Sequence, residues 1–235
     1  MKFSCSRPEL YEIVSNVSRA VSGKTSLAVL EGILIRAKSG VLSFLGYDLD
    51  LGISAQMDGE IVLSAKLFVD MMRRMNGDTV TIHTDEKYLT EIKSGATEFT
   101  ILGIPSDEFP EIPVVQEEQS ISLPQHLLKS MIDQTLFAIS TNDSKPVHTG
   151  SLFQLEDGEL RVVSVDGFRL ALRREKVSAE GSAQFIIPGK TLSEMNKLLS
   201  DEEDEETRLY LSRKHVVVQI GQYKVISRLL EGEFL

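Results

Sequence analysis

Two rhythms of apolar and polar positions run along this chain. Leu10, Ile13, Val14 and Val17 recur at helical spacing, and Leu128, Met131, Ile132 and Thr135 repeat that spacing later. Period-two alternation marks strands at 79–84, 88–94 and 98–102, and again at 207–212, 215–220 and 223–230. A further strand is expected over 151–154, returning over 159–164 after a turn at Glu156-Asp157-Gly158. A second turn at Asp166-Gly167 then places Phe168, Arg169 and Leu170 on one corner of a hairpin, because Asp-Gly accepts positive φ.

The pattern is written twice. Adding 118 to the numbers of 32–51 gives 150–169, with Gly32 falling on Gly150, Gly40 on Gly158, Leu42 on Leu160 and Asp48 on Asp166. Residues 3–22 align with 121–140 at the same offset, each a short strand and then a helix opened by Ser6 or Ser122 near a proline. A second helix is expected over 63–75 and over 187–199, with Lys66 matching Lys190 and the offset grown to 124 by a loop around 177–183. Strand, serine, helix and three strands also recur within each copy, from Phe3 and from Ile61. The expected fold is therefore α+β. Two tandem domains, 1–118 and 119–235, each carry two helices and two four-stranded antiparallel sheets, joined through the polar stretch 114–120.

Composition changes the picture only in part. The balance of 42% hydrophobic and 26% charged residues is ordinary for a globular protein, and no apolar run reaches the ~18 residues of a membrane span. The polar N-terminus is no signal peptide, so the expected compartment is the cytoplasm. A single cysteine, Cys5, excludes an intrachain disulfide framework and a multi-cysteine zinc site. The net charge of -10 argues against coating nucleic acid with the whole surface, though not against a local basic stripe.

Four stretches resemble the bacterial sliding clamp, the beta subunit of DNA polymerase III: SGKTSLAVLEGILI from Ser22, KPVHTG from Lys145, VDGFRLAL from Val165 and SRLLEGEF from Ser227. They occur in order and at matching spacing across the whole chain. The resemblance implies a DNA-clamp fold with three such domains per chain, two chains closing head to tail around duplex DNA as a homodimeric ring. Two copies stand here, so a clamp lacking its third domain is expected, with half a peptide cleft, no closed ring and a mostly monomeric chain. The implied function is that of a non-enzymatic processivity factor without a cofactor. Its implied partners are double-stranded DNA, the polymerase III catalytic subunit, clamp-loader subunits and other proteins with a clamp-binding peptide.

A clamp that slides needs diffuse positive charge without base readout. Candidates for the DNA-facing lining are Lys24, Lys66, Arg73, Arg74, Lys129, Lys145, Lys190 and Lys197, of which Lys24, Lys145 and Lys190 match the family's DNA-proximal positions. Gly189 stands where some clamps carry a second basic residue. The resemblance assigns a peptide pocket to Val165, Gly167, Phe168, Arg169 and Leu170, with His148 and Gly150 opposite; Val165, Phe168 and His148 replace a common threonine, histidine and leucine. Two other classes remain open: a peptide-binding adaptor that forms no ring, and a metal-dependent nuclease using Asp48 and Asp50. Only Asp48 recurs in the second copy, as Asp166, which favours a turn-capping role. His83, His126, His148 and His215 lack metal-ligand spacing, the acidic run 201–206 reads as a solvated loop, and Met71, Met72 and Met75 read as core.

Overall fold

The computed structural model describes residues 2–21, 25, 27–38, 41–49, 51–55, 58–113, 119–142, 144–179 and 181–234, with the main chain alone at 38, 41, 51–55 and 58–60. Lys24, Asp50 and most of the stretch 114–120 lie outside the described residues. The chain divides into two compact units, Met1–Pro113 and Val114–Leu235.

The first unit runs β1 (Lys2–Ser6), α1 (Arg7–Val17), β2 (Gly32–Lys38), β3 (Val41–Tyr47), β4 (Leu51–Ala55), β5 (Asp58–Ser64), α2 (Ala65–Arg74), β6 (Thr79–Thr84), β7 (Leu89–Ser94) and β8 (Thr97–Leu102). The second repeats it: β9 (Gln119–Pro124), α3 (Gln125–Asp133), β10 (Gly150–Glu156), β11 (Glu159–Val165), β12 (Leu170–Lys176), β13 (Ala183–Pro188), α4 (Gly189–Asn196), β14 (Glu206–Leu211), β15 (His215–Ile220) and β16 (Tyr223–Arg228). Each unit is thus α+β, a βαβββ element doubled into two four-stranded antiparallel sheets.

The two halves of a unit interlock. The strand ahead of each helix pairs with the three-stranded meander of the other half: β1 with β6, and β5 with β2. In the second unit β9 joins β14 and β13 joins β10 in the same way. Neither half therefore owns a complete sheet. The helices pair as well, α1 on α2 and α3 on α4. Leu10, Val14 and Val17 of α1 are buried, as are Phe68 and Met72 of α2 and Leu128, Met131 and Ile132 of α3.

The helices start later than the pattern suggests. Leu63 and Ser64 finish β5, and Ile187 and Pro188 finish β13, because the strands run on to the helix without a linker. Ser122 does not open a helix: it lies in β9, where its hydroxyl accepts a 2.9 Å hydrogen bond from Arg208 Nε. Ser6 occupies the N-cap position, yet its side chain makes no capping bond. The main chain still meets one helix-start donor. The Arg7 N–H donates to the Asp78 carbonyl at 2.8 Å and the Gln125 N–H to the Glu205 carbonyl at 2.7 Å, so the first orphan N–H of each helix is met by the loop ahead of the neighbouring strand.

Candidate functional site

The helices of each unit turn a charged face outward. α2 buries Ala65, Phe68 and Met72 and leaves Lys66, Arg73 and Arg74 exposed. α4 buries Thr191, Leu192 and Met195 and exposes Lys190, while Lys197 is exposed just past its end. Lys66 and Lys190 stand at the same place, the second residue of α2 and of α4. Lys145 is exposed just ahead of a 3-10 turn, Pro146–Thr149. Several candidate cations already hold carboxylates: among the described residues Arg73 pairs with Asp70, Lys197 with Glu194 at 2.7 Å, and Lys129 with Asp201 at 2.6 Å. Exposed pairs of this kind contribute about 0–1 kcal/mol, so a phosphate can displace the carboxylate.

The acidic segment behind Lys129 is fixed rather than loose. The buried Gln125 side chain accepts a bond from the Ser200 N–H at 3.0 Å and donates to the Glu206 carbonyl at 3.2 Å, pinning both ends of 201–206 at the start of α3. Gly189 has its own cause: a Cβ there would meet Ile139 Cδ1 at 2.2 Å and the Thr149 carbonyl at 2.9 Å, so a larger residue needs both the Ile139 side chain and the Thr149 main chain to shift.

A second surface forms on one face of the sheet β12-β11-β10-β13. The register sets Ile186, Leu152, Val163 and Leu172 side by side across four strands, and Val165 opposite Leu170. Val147, Leu230 and Phe234 pack onto the near end of this face, together with Leu152, Val163, Ile186 and Val165. That cover ends at β11. Leu152 and Val163 are 2% and 3% exposed, whereas Leu170 and Leu172 are 55% and 52% exposed on the edge strand.

The first unit builds the same cluster from Val29, Leu34, Leu45, Val62 and Phe109. There, however, the register places Gly52 and Ser54 of β4 opposite Tyr47 and Leu45, where the second unit has Leu170 and Leu172. Tyr47 is buried and donates its hydroxyl hydrogen to the Leu49 carbonyl at 3.1 Å. The apolar ledge therefore belongs to the second unit.

The turn beside the ledge is held by Asp166. Its Oδ1 accepts the N–H groups of Phe168 and Arg169, each at 3.1 Å, and its Oδ2 takes Arg169 Nε at 2.8 Å. The Phe168 N–H, with Arg169's amide and guanidinium behind it and some lost hydration opposing, holds the Asp166 carboxyl below the usual carboxylate range. Gly167, at φ 88°, permits the reversal. Phe168 at its tip is 99% exposed, and Arg169 lies over the Phe137 ring, 5.6 Å from its centroid.

His148 and Gly150 sit at the other end of the cluster. His148 Nε2 lies 2.8 Å from the Phe234 carbonyl oxygen, and a Cβ on Gly150 would come within 2.4 Å of the Ile187 carbonyl. Both residues lie against the segment that carries Leu230 and Phe234. Leu172, Phe234 and Phe137 were not singled out from sequence. Leu172 was legible as the i+2 neighbour of Leu170 in a strand; the part played by Phe137 and Phe234 depends on long-range packing that no local pattern carries.

Among the described residues, no group of three or more His, Cys, Asp or Glu side chains is placed to hold a metal ion, and no helix is long and apolar enough to cross a membrane. Asp166, the counterpart of Asp48, caps a turn as described above.

Residues 1–113 match the family profile described as DNA polymerase III beta subunit, N-terminal domain, and 122–235 match that of the central domain. The chain is 35% identical over 250 residues to the beta sliding clamp of Bacillus subtilis, covering all of this chain and 66% of that protein. Among solved structures, a putative DNA polymerase III beta subunit from Eubacterium rectale superposes with a TM-score of 0.96 at 38% identity. The sliding clamp of Pseudomonas aeruginosa bound to griselimycin gives 0.94 at 27% identity. Both comparisons cover all of this chain and 66% of the other. The chain thus spans about two thirds of the length of the relatives it matches.

Proposed function

The chain belongs to the DNA polymerase III beta subunit family, and we propose that it contributes two domains, 1–118 and 119–235, to a ring that slides on duplex DNA and tethers the replicative polymerase. The observation that carries this reading is the placement of charge. An acidic protein exposes lysine at the same position of α2 and α4, Lys66 and Lys190, with Arg73, Arg74 and Lys197 at the far ends of those helices. Such cations neutralise phosphates without reading bases, which is what sliding requires. Lys24, Lys129 and Lys145 complete the proposed lining.

The partner site in this reading is the ledge of Val165, Leu170 and Leu172, closed at one side by the Gly167-Phe168-Arg169 turn and at the other by Phe234, His148 and Gly150. Half-covered leucines beside a rigid turn suit the apolar anchors of a short peptide, and Arg169 offers a donor for its carbonyl or carboxylate. Polymerase and clamp-loader subunits are the proposed sources of that peptide. The protein works in the cytoplasm as a non-catalytic processivity factor, through topology and docking, with no cofactor, and a homodimer is the proposed ring.

The test loads the protein, as its gene encodes it, onto nicked circular DNA with a clamp loader and then linearises the circle. Loss of bound protein on linearisation is expected. Equal retention on circular and linear DNA would rule out a topological tether and favour an adaptor or simple DNA binding.

A further inference from the structure

A second groove in the 114–235 unit lies at the outer edge of β13. There the Ile186 carbonyl accepts the Leu230 N–H at 3.0 Å. In a strand, the main-chain groups of alternate residues point the same way. Those of Gln184 therefore face this same side, away from β10, and no described residue bonds them. The covering segment leaves the edge at that point, with Gly232 at φ 144°. A cavity of about 400 Å³ remains, lined by Gln184, Phe185, Arg213, Lys214, Leu230 and Glu231 among others.

The charge around it is the reverse of the molecule's. Arg213 and Lys214 form the exposed tip of the β14–β15 turn, and neither side chain has an ion pair or hydrogen bond with a described residue. The Lys214 carbonyl is tied to the Leu229 N–H at 2.8 Å, so the turn is anchored while its side chains are unengaged. Arg228 lies opposite His215 in the register. Burial lowers the His215 pKa, and the charges of Arg228 and Lys214 lower it further, the mark of a local positive field. The matching turn of the first unit reads Asp85-Glu86-Lys87, so this basic tip belongs to the second unit alone.

We propose that this groove binds an extended acidic peptide segment, whose main chain pairs with the free edge of β13 at Gln184 and whose carboxylates meet Arg213 and Lys214. Glu231, exposed on the lining, orients the segment by keeping its acidic side chains toward the turn. Strand addition supplies sequence-independent main-chain bonds, and the two cations supply the preference for acid. A nucleic-acid backbone offers the charge but no main-chain amide for the strand edge. The inference does not depend on the clamp reading, since the groove is separate from the Leu170 ledge and from the helices.

The experiment is fluorescence anisotropy on the full chain with fluorescein-labelled tetra-aspartate, against tetra-asparagine as the uncharged probe. Saturable binding of the acidic probe alone is expected. It should weaken about tenfold or more in the Arg213→Ser/Lys214→Ser double variant, each substitution lying on an exposed turn. Gln184→Pro removes the outward N–H on an edge strand, together with an exposed 3.3 Å side-chain bond from Gln154, and should weaken it severalfold, with the circular dichroism spectrum unchanged. Binding that survives the double variant overturns the proposal. So does binding that ignores Gln184→Pro and is displaced equally well by inorganic phosphate or duplex DNA, which would leave a plain anion site.

Discussion

His148 Nε2 lies 2.8 Å from the carbonyl oxygen of Phe234, and the two rings meet edge-on with centroids 5.3 Å apart. The pair ties the turn ahead of β10 to the segment that roofs Leu152, Val163 and Val165. A lost hydrogen bond costs ~1 kcal/mol and the aromatic contact a similar amount, so His148→Ala should destabilise the 114–235 unit by about 1–2 kcal/mol. Phe234→Ala, which empties a site 2% exposed, should cost roughly 3–5 kcal/mol. Urea unfolding measures both, and His148→Ala indistinguishable from wild type would show that the bond contributes nothing.

Ser151 and Ser164 face each other on neighbouring strands, fully buried, with hydroxyls 2.7 Å apart. Either serine replaced alone by alanine leaves an unsatisfied buried hydroxyl, a penalty of about 1–3 kcal/mol. The double replacement removes both partners and should cost less than the two singles together. An additive double-mutant cycle in urea would show that the hydroxyls do not interact.

Much of this architecture was legible because the chain repeats itself: the offset that carries Gly32 onto Gly150 carries β2 and β3 onto β10 and β11. Asp166 was legible as a turn residue for the same reason. The interlock was not, since nothing local in β1 or β5 says which meander each joins. The helix start was misplaced at Ser122 because a serine beside a proline is a good cap in isolation, whereas here β9 stays paired with β14 through Pro124 and Ser122 is a strand residue. The acidic run at 201–206 read as solvated from its composition alone. Its attachment to Gln125 and Lys129 spans more than 70 residues of sequence, beyond the reach of any window.

Asp166 gives the Phe168 turn a pH dependence. Its folded-state pKa is lowered, chiefly by the Phe168 N–H, so its contribution is present above the unfolded carboxylate pKa and is lost as pH falls through the lower folded value. The amide resonances of Phe168 and Arg169 should therefore hold steady from neutral pH through the ordinary aspartate range and shift together only at more acidic pH. A midpoint at or above the ordinary aspartate value would contradict the capping geometry. Asp166→Asn, which keeps an acceptor but loses the charge, should remove this titration.

Cys5 behaves oppositely. Burial first, and the nearby Glu9 second, push its thiol up to about 11. A raised thiol pKa means that the stabilising neutral form persists through neutral pH, and its contribution is lost only as pH rises toward that value. The folded protein should react slowly with Ellman's reagent at pH 8, and unfolding in urea should accelerate the reaction strongly. Equal rates in both states would show that the thiol is already open to solvent.

Lys129 and Asp201 offer the sharpest test of the proposed DNA lining, because the ion pair predicts effects of opposite sign from neighbouring substitutions. With Nζ 2.6 Å from the carboxylate, Lys129 is partly spent on an internal partner, while Lys66 has no ion pair among the described residues. Each phosphate neutralised contributes about -0.9 to the slope of log affinity against log salt. Lys66→Ala should therefore reduce the magnitude of that slope by nearly the whole amount, and Lys129→Ala by less. Asp201→Asn releases Lys129 and should tighten binding to duplex DNA, with a steeper slope, and the gain should vanish when Lys129→Ala is added. Salt titrations of wild type and the four variants on one duplex give the slopes. An Asp201→Asn gain that persists without Lys129 would mean that the acidic segment acts through general repulsion and that Lys129 does not touch DNA.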